Sequence, residues 1–193
     1  MKVQMTEQSV ETAIENSRAA YAIVASSIPK PLAKKEAELF DWYVRLKGNP
    51  LTKLRALFDF MTALYGAVAR HMPCKKGCTS CCHYPVSITH LEIEFIERGA
   101  DIKRAKHIMK TARPHDTPCP FLRNDTCSIY EHRPFVCRRH VSLTKTPHWC
   151  HPDRAFTEEF PLLKFSEVDR VFDALVREAG ATAFCDIREA FPV

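Results

Sequence analysis

The chain has 193 residues and 46% hydrophobic content, enough for one ordinary core with a small satellite lobe. Five glycines and 26% charged residues exclude a disordered chain, and no apolar run approaches the roughly 18 residues of a membrane helix. The net charge of +5 is uneven: residues 73–152 carry 13 basic against 7 acidic side chains, whereas residues 153–193 carry 5 against 9.

Residues 7–27 predict a first helix, with Val10, Ala13, Ile14, Tyr21 and Val24 as its loosely periodic apolar positions. A second helix is expected from Pro31 to about Lys47, carrying Leu32, Leu39, Phe40, Tyr43 and Leu46 and stopped by Gly48. Asn49-Pro50 then reads as an N-cap followed by a proline at the first helical position. The third helix has the cleanest period. Leu54, Leu57, Phe58, Met61, Leu64, Tyr65 and Val68 make one wide apolar stripe. Short connections between the three predict an antiparallel bundle.

Four cysteines follow within nine residues, Cys74-Lys-Lys-Gly-Cys78-Thr-Ser-Cys81-Cys82. Thr89 and Glu92 then form a capping box, with Ile88 and Ile93 placed as its hydrophobic staple, and Gly99 is read as the end of that helix. Residues 101–112 are expected to form another helix, with Ile102, Ala105, Ile108 and Met109 inward, stopped by Pro114. Arg123-Asn124-Asp125 is turn chemistry between short apolar runs, so a hairpin should set Cys119 and Cys127 close together. Arg133-Pro134 opens a short helical turn that delivers Cys137. A last helix starts near Ser166, with Val168, Val171, Phe172, Leu175 and Val176 on one face.

Thiols concentrated in this way are a liability that packing does not repay, so they point to metal. The opening residues carry no secretory stretch, and the protein is expected to be soluble and cytoplasmic. In that reducing compartment cysteines serve as metal ligands rather than disulfides. The candidate ligands are Cys74, Cys78, Cys81, Cys82, Cys119, Cys127, Cys137 and Cys150. Cys78 and Cys81 have the two-residue spacing with which zinc and iron–sulfur sites take two ligands from one turn. Were the segment helical, Cys74, Cys78 and Cys82 would fall on one side. Adjacent Cys81 and Cys82 point apart in any regular backbone, so either the pair serves two metals or one member packs. The eight thiols can fill two four-thiolate sites, or ligate one four-iron cluster and leave a remainder. Cys185 is placed in the last helix as an ordinary buried cysteine.

Four pieces of sequence resemble the YkgJ-type cysteine-cluster family, a CxxCxxCC zinc- or iron-chelating domain. They are Cys78-x2-Cys81-Cys82, Cys119-Pro120-Phe121-Leu122, Cys127-Ser128-Ile129-Tyr130 and Arg133-Pro134-Phe135-Val136-Cys137-Arg138, within residues 74–138. The chain departs from the pattern in having three residues between Cys74 and Cys78. A more distant likeness is to the flagellin lysine N-methylases, which carry a comparable cluster.

The expected fold is mainly α. A helical bundle at 1–72 is joined by a metal-stabilised cysteine module at 73–152 with a small β-hairpin, and a C-terminal helix within 153–193 packs back on the bundle. The three parts can equally form one domain. Zn²⁺ or Fe, including an iron–sulfur cluster, is the expected cofactor, and Arg133 and Arg138 are candidates to hydrogen-bond the thiolates. His83, His140, His148 and His151 read as surface or supporting residues, and Glu92, Glu94 and Glu97 as solvated helix positions. Closed four-thiolate sites are more often structural than catalytic, which favours a metal-binding role over an enzymatic one. An iron–sulfur-dependent modification or redox enzyme is the alternative, with the vicinal cysteines as its centre. A zinc-stabilised nucleic-acid or protein-binding module is a third reading. It would use residues 89–98 and 101–112 as a helix-turn-helix, but no base-reading Asn or Gln lies along the second helix. Basic residues near thiolates offset the charge of a thiolate-bound metal, so the local excess does not argue for nucleic acid. No glycine-rich cofactor loop can be read. Beyond the metal ion no partner is indicated.

Overall fold

The computed structural model describes residues 9–108, 117–155 and 160–192. Helix α1 (Val10–Ser27) is capped by Ser9, whose side chain accepts from the Thr12 N–H. The expected second helix is two helices, α2 (Lys30–Ala37) and α3 (Leu39–Arg45), broken at Glu38. Leu39 and Tyr43 turn inward only after that break. Helix α4 (Pro50–Val68) starts as its sequence requires, with the Asn49 side chain accepting from the Thr52 N–H at 2.9 Å. All seven stripe residues of α4 are buried, and Phe60 joins them.

Strand β1 (Ser87–Thr89) leads into α5 (His90–Ala100) through the predicted capping box. That helix passes Gly99 and ends at Asp101, which takes a left-handed conformation at φ 52°. Gly99 is needed for a close approach. A Cβ there would stand 2.3 Å from His132 Nδ1 and 2.8 Å from its Cγ, with the His132 ring itself edged against Phe95. Gly99→Ala gains about 1 kcal/mol of helix propensity but must displace that ring, which costs about 1–3 kcal/mol. The clash should win, and a urea midpoint at or above that of the parent protein would contradict it.

The helix expected over 101–112 is not formed at residues 101–108, and residues 109–112 and Pro114 lie outside the described residues. Instead the chain folds back, with Arg104 donating to the Glu97 carboxylate and Ala105 N–H to the Ala190 carbonyl. The helix-turn-helix therefore lacks the first half of its second helix.

The hairpin is present as β2 (Leu122–Arg123) and β3 (Thr126–Cys127), with Leu122 opposite Cys127. Asn124 and Asp125 both have positive φ, the conformation a tight two-residue turn demands. Cys119 precedes the strand rather than lying on it, and its carbonyl accepts from the Leu122 N–H. Helix α6 (Phe135–Arg139) delivers Cys137, and α7 (Pro152–Ala155) follows Cys150. Helix α8 (Ser166–Glu178) buries the five predicted residues and packs on α3 and α4. The chain then adds two elements the pattern does not announce, β4 (Phe184–Asp186) and α9 (Ile187–Ala190). Strand β4 pairs antiparallel with β1, setting Cys185 opposite Ile88, so Cys185 lies on a strand and not in a helix.

Two apolar clusters result. One joins α3, α4 and α8 to Leu91 and Phe95 of α5, and Phe135 stacks on Phe172 at 3.8 Å. The other gathers Val86, Ile88, Ile93, Ile96, Phe121, Ile129, Ile187 and Phe191 behind the hairpin. Helix α5 serves both from opposite faces. Where α3, α4 and α8 meet, Lys53 and Tyr43 donate to Glu178, holding its carboxyl below the ordinary value of 4.5. A carboxylate depressed by folding stabilises fully above the unfolded value and loses that contribution as pH falls through the lowered one. Denaturation midpoints of the parent and Glu178→Gln should therefore differ at neutral pH and converge below about pH 4.5. A constant gap across that window would contradict the assignment.

Candidate metal centre

The segment from Cys74 to Cys82 is not a helix. Cys74–Gly77 is irregular, Gly77 takes φ 89°, and Ser80–His83 forms a single 3₁₀ turn. That turn aims the vicinal cysteines differently. Cys81 lies within electrostatic reach of Cys74 and Cys137, whereas Cys82 influences Cys119, Cys127 and Cys137. Cys74 in turn feels Cys150 and Cys78. The eight candidate thiols thus form two overlapping neighbourhoods, one around Cys74, Cys78, Cys81 and Cys150 and one around Cys82, Cys119, Cys127 and Cys137, with Cys81 also touching Cys82 and reaching Cys137. Cys185 feels only carboxylates: Glu189, Asp186 and Glu92.

Backbone hydrogen bonds fix the loops that carry these thiols. Cys119 N–H donates to the Cys82 carbonyl at 2.8 Å, joining two ligand segments far apart in sequence. Ser142 N–H points at the Cys74 sulfur at 3.4 Å. Tyr84 donates its hydroxyl to the Cys150 carbonyl at 2.6 Å, and its ring edge meets His140. The Cys81–Cys82 contact holds Cys82 below the ordinary thiol value and pushes Cys81 above it. Burial raises Cys74 and Cys119 to about 11 and moves Cys127 and Cys137 in the same direction. At neutral pH Cys74 and Cys119 are therefore protonated as placed.

Among the described residues, no three His, Cys, Asp or Glu side chains stand close enough to enclose an ion. The thiols are neighbours, not an assembled coordination sphere. Such a set still fits zinc or iron chemically, because metal displaces thiol protons and sites of this kind rarely close before the metal arrives.

Three charged residues organise the surroundings. Arg133 lies flat on the Tyr130 ring at 3.6 Å and donates Nε–H to the Tyr130 carbonyl, so it does not anchor on a carboxylate. Its charge reaches Cys74, Cys82, Cys127 and Cys137, favouring their thiolates. Arg138 gives no hydrogen bond to sulfur. It is buried over Phe58 and donates to the carbonyls of Glu131 and Arg133 and to Thr62. Glu92, expected to be solvated, is 1% exposed. Its carboxylate accepts from Thr89 N–H and from Phe135 N–H, both at 2.8 Å, tying the start of α5 to the start of the Cys137 helix.

The residue that sequence reasoning missed is Arg188 of α9, 4% exposed. It donates to the carbonyls of Thr117, Pro118, Cys82 and Tyr84, and Nη1 pairs with Asp186 at 3.1 Å. One guanidinium therefore braces the loops that hold Cys82 and Cys119. The Asp186-x-x-Glu189 capping box was a readable sign of a short helix there, but nothing local marked the arginine.

Residues 73–151 match a family model, CxxCxxCC, described as a "Putative zinc- or iron-chelating domain". This segment is similar to the CxxCxxCC domain. The match extends beyond the Arg-Pro-x-x-Cys turn and includes Trp149-Cys150-His151, so all eight candidate thiols lie within the matched segment and Cys185 lies outside it. Arg188 and the helices α4 and α8 also lie outside. No curated protein and no solved structure matches the chain. Among the described residues, no helix is long and apolar enough to cross a membrane.

Proposed function

We propose that residues 73–152 form a cytoplasmic module that folds around two metal centres of zinc or iron, and that its role is structural metal binding. Cys74, Cys78, Cys81 and Cys150 supply one centre, and Cys82, Cys119, Cys127 and Cys137 the other. The observation that carries this reading is a partial division of the thiols at the vicinal pair: Cys81 reaches Cys74 and Cys82 reaches Cys119 and Cys127, although the two touch each other and both reach Cys137. One tetrahedral ion cannot easily use both neighbours, whereas two centres give each a place. Substitution tests the partition. Cys78→Ser and Cys119→Ser should each lose one of the two centres, and Cys185→Ser neither. A Cys119→Ser protein that loses both centres, or keeps both, contradicts it.

A second reading, an iron–sulfur-dependent modification or redox enzyme, draws support from one feature: Cys74, Cys78, Cys81 and Cys137 line a cavity. Colour separates the two. An anaerobically purified brown protein that bleaches in air selects the iron–sulfur reading, and a colourless zinc protein selects the structural one.

A further inference from the structure

The cavity beside α4 has a volume of about 220 Å³. Its lining includes the thiols of Cys74, Cys78, Cys81 and Cys137 and the apolar side chains of Met61, Tyr65 and Met72. Its charged lining is Lys75, Arg133 and Arg138 against the single carboxylate of Glu131. The donors of Arg138 are taken up by protein oxygens, as described above. Arg133 differs, because only its Nε–H is bonded and its Nη donors have no acceptor among the described residues. The Tyr65 hydroxyl is likewise buried with no hydrogen-bond partner among the described residues.

Gly66 supplies a further observation. It sits inside α4, where glycine is a poor helix former, and it lines the cavity. No close packing requires it, since a Cβ there would meet nothing within 4 Å. Gly66 is exposed where it lines the cavity, so a larger side chain has room to be placed at the cavity's edge.

We propose that this cavity binds a small organic carboxylate, with its anionic end on Arg133 and a short apolar part against Met61, Tyr65 and Met72. The guanidinium fork matches a planar carboxylate, and a volume below the roughly 300–1,000 Å³ of drug-sized sites restricts the ligand to a few carbons. The assignment deepens the two-centre reading, because the ligand would lie against the centre built from Cys74, Cys78 and Cys81.

Calorimetric titration of the metal-loaded chain with sodium butanoate, sodium acetate and butylammonium chloride tests it. Butanoate should bind roughly tenfold tighter than acetate, as burial of two further methylenes requires, and butylammonium should not bind. Gly66→Leu places a larger side chain and better helix former at the cavity's edge and should weaken butanoate at least tenfold with helicity and metal content unchanged. Arg133→Gln should weaken it to a similar extent. Butanoate no tighter than acetate, or bound equally by Gly66→Leu, overturns the proposal. Metal content measured on the same samples separates the two readings. A full complement without butanoate binding removes the ligand site alone, and a chain that takes up no metal removes the centres and the site together.

Discussion

Arg188→Ala should cost about 3–5 kcal/mol and release metal from the set containing Cys82 and Cys119, the scale observed when one partner of a buried charge pair is removed. The side chain is 4% exposed, and its loss strands the carbonyls of Thr117, Pro118 and Tyr84 and removes the counter-charge of Asp186, which keeps only the Val86 and Arg188 backbone N–H donors. A stranded carbonyl costs more than the net worth of the bond it loses, because desolvation is no longer compensated. The Cys82 carbonyl keeps its bond from Cys119 N–H, so the two loops remain in contact but lose their common brace. Lysine should not rescue, since one ammonium cannot reach carbonyls from two loops while also meeting Asp186. Urea denaturation and metal retention under mild chelation provide the two readouts. A variant with parental values in both would show that α9 is only an appendage.

Metal removal should have the larger effect. A structural zinc site contributes about 10–16 kcal/mol of apparent binding free energy in small peptides, comparable to the whole 5–15 kcal/mol stability of a typical domain. The second apolar cluster is the smaller of the two, and Cys119, Cys127 and Cys137 pack against it. Stripped of metal, residues 73–151 should lose most amide-exchange protection. Helices α4 and α8 should keep theirs, because Leu54, Leu57, Leu64, Val171 and Leu175 pack within the first cluster. The stripped protein would thus be half-folded, with helical signal retained and thiols open to solvent. Equal protection with and without metal would contradict a fold built around it.

The sequence was most informative where a local rule dictates the outcome. The stripe of α4, the Asn49 cap, the Thr89–Glu92 capping box and the Asn124-Asp125 turn each follow from near-neighbour chemistry, and each is present. The eight thiols stand out in the sequence as candidate ligands because metal ligands are chosen by residue type. The proposed division between two centres cannot be read there, because it would depend on the 3₁₀ turn at Ser80–His83, whose backbone no periodicity encodes. Residues 101–108 show the opposite case. Their apolar spacing permits a helix, but the Arg104–Glu97 pair and the Ala105–Ala190 hydrogen bond fold the chain back. Cys185 and Arg188 were misread or missed for the same reason. Their places are set by pairing of β4 with β1, a contact about a hundred residues away in sequence.

The central claim, that eight of the nine cysteines are metal ligands, is tested most directly by counting reactive thiols beside metal content on anaerobically prepared native protein. The account predicts bound zinc or iron and one freely reactive thiol, Cys185, with all nine reacting once metal is chelated in denaturant. Native protein that carries no metal and reacts at all nine thiols would contradict it.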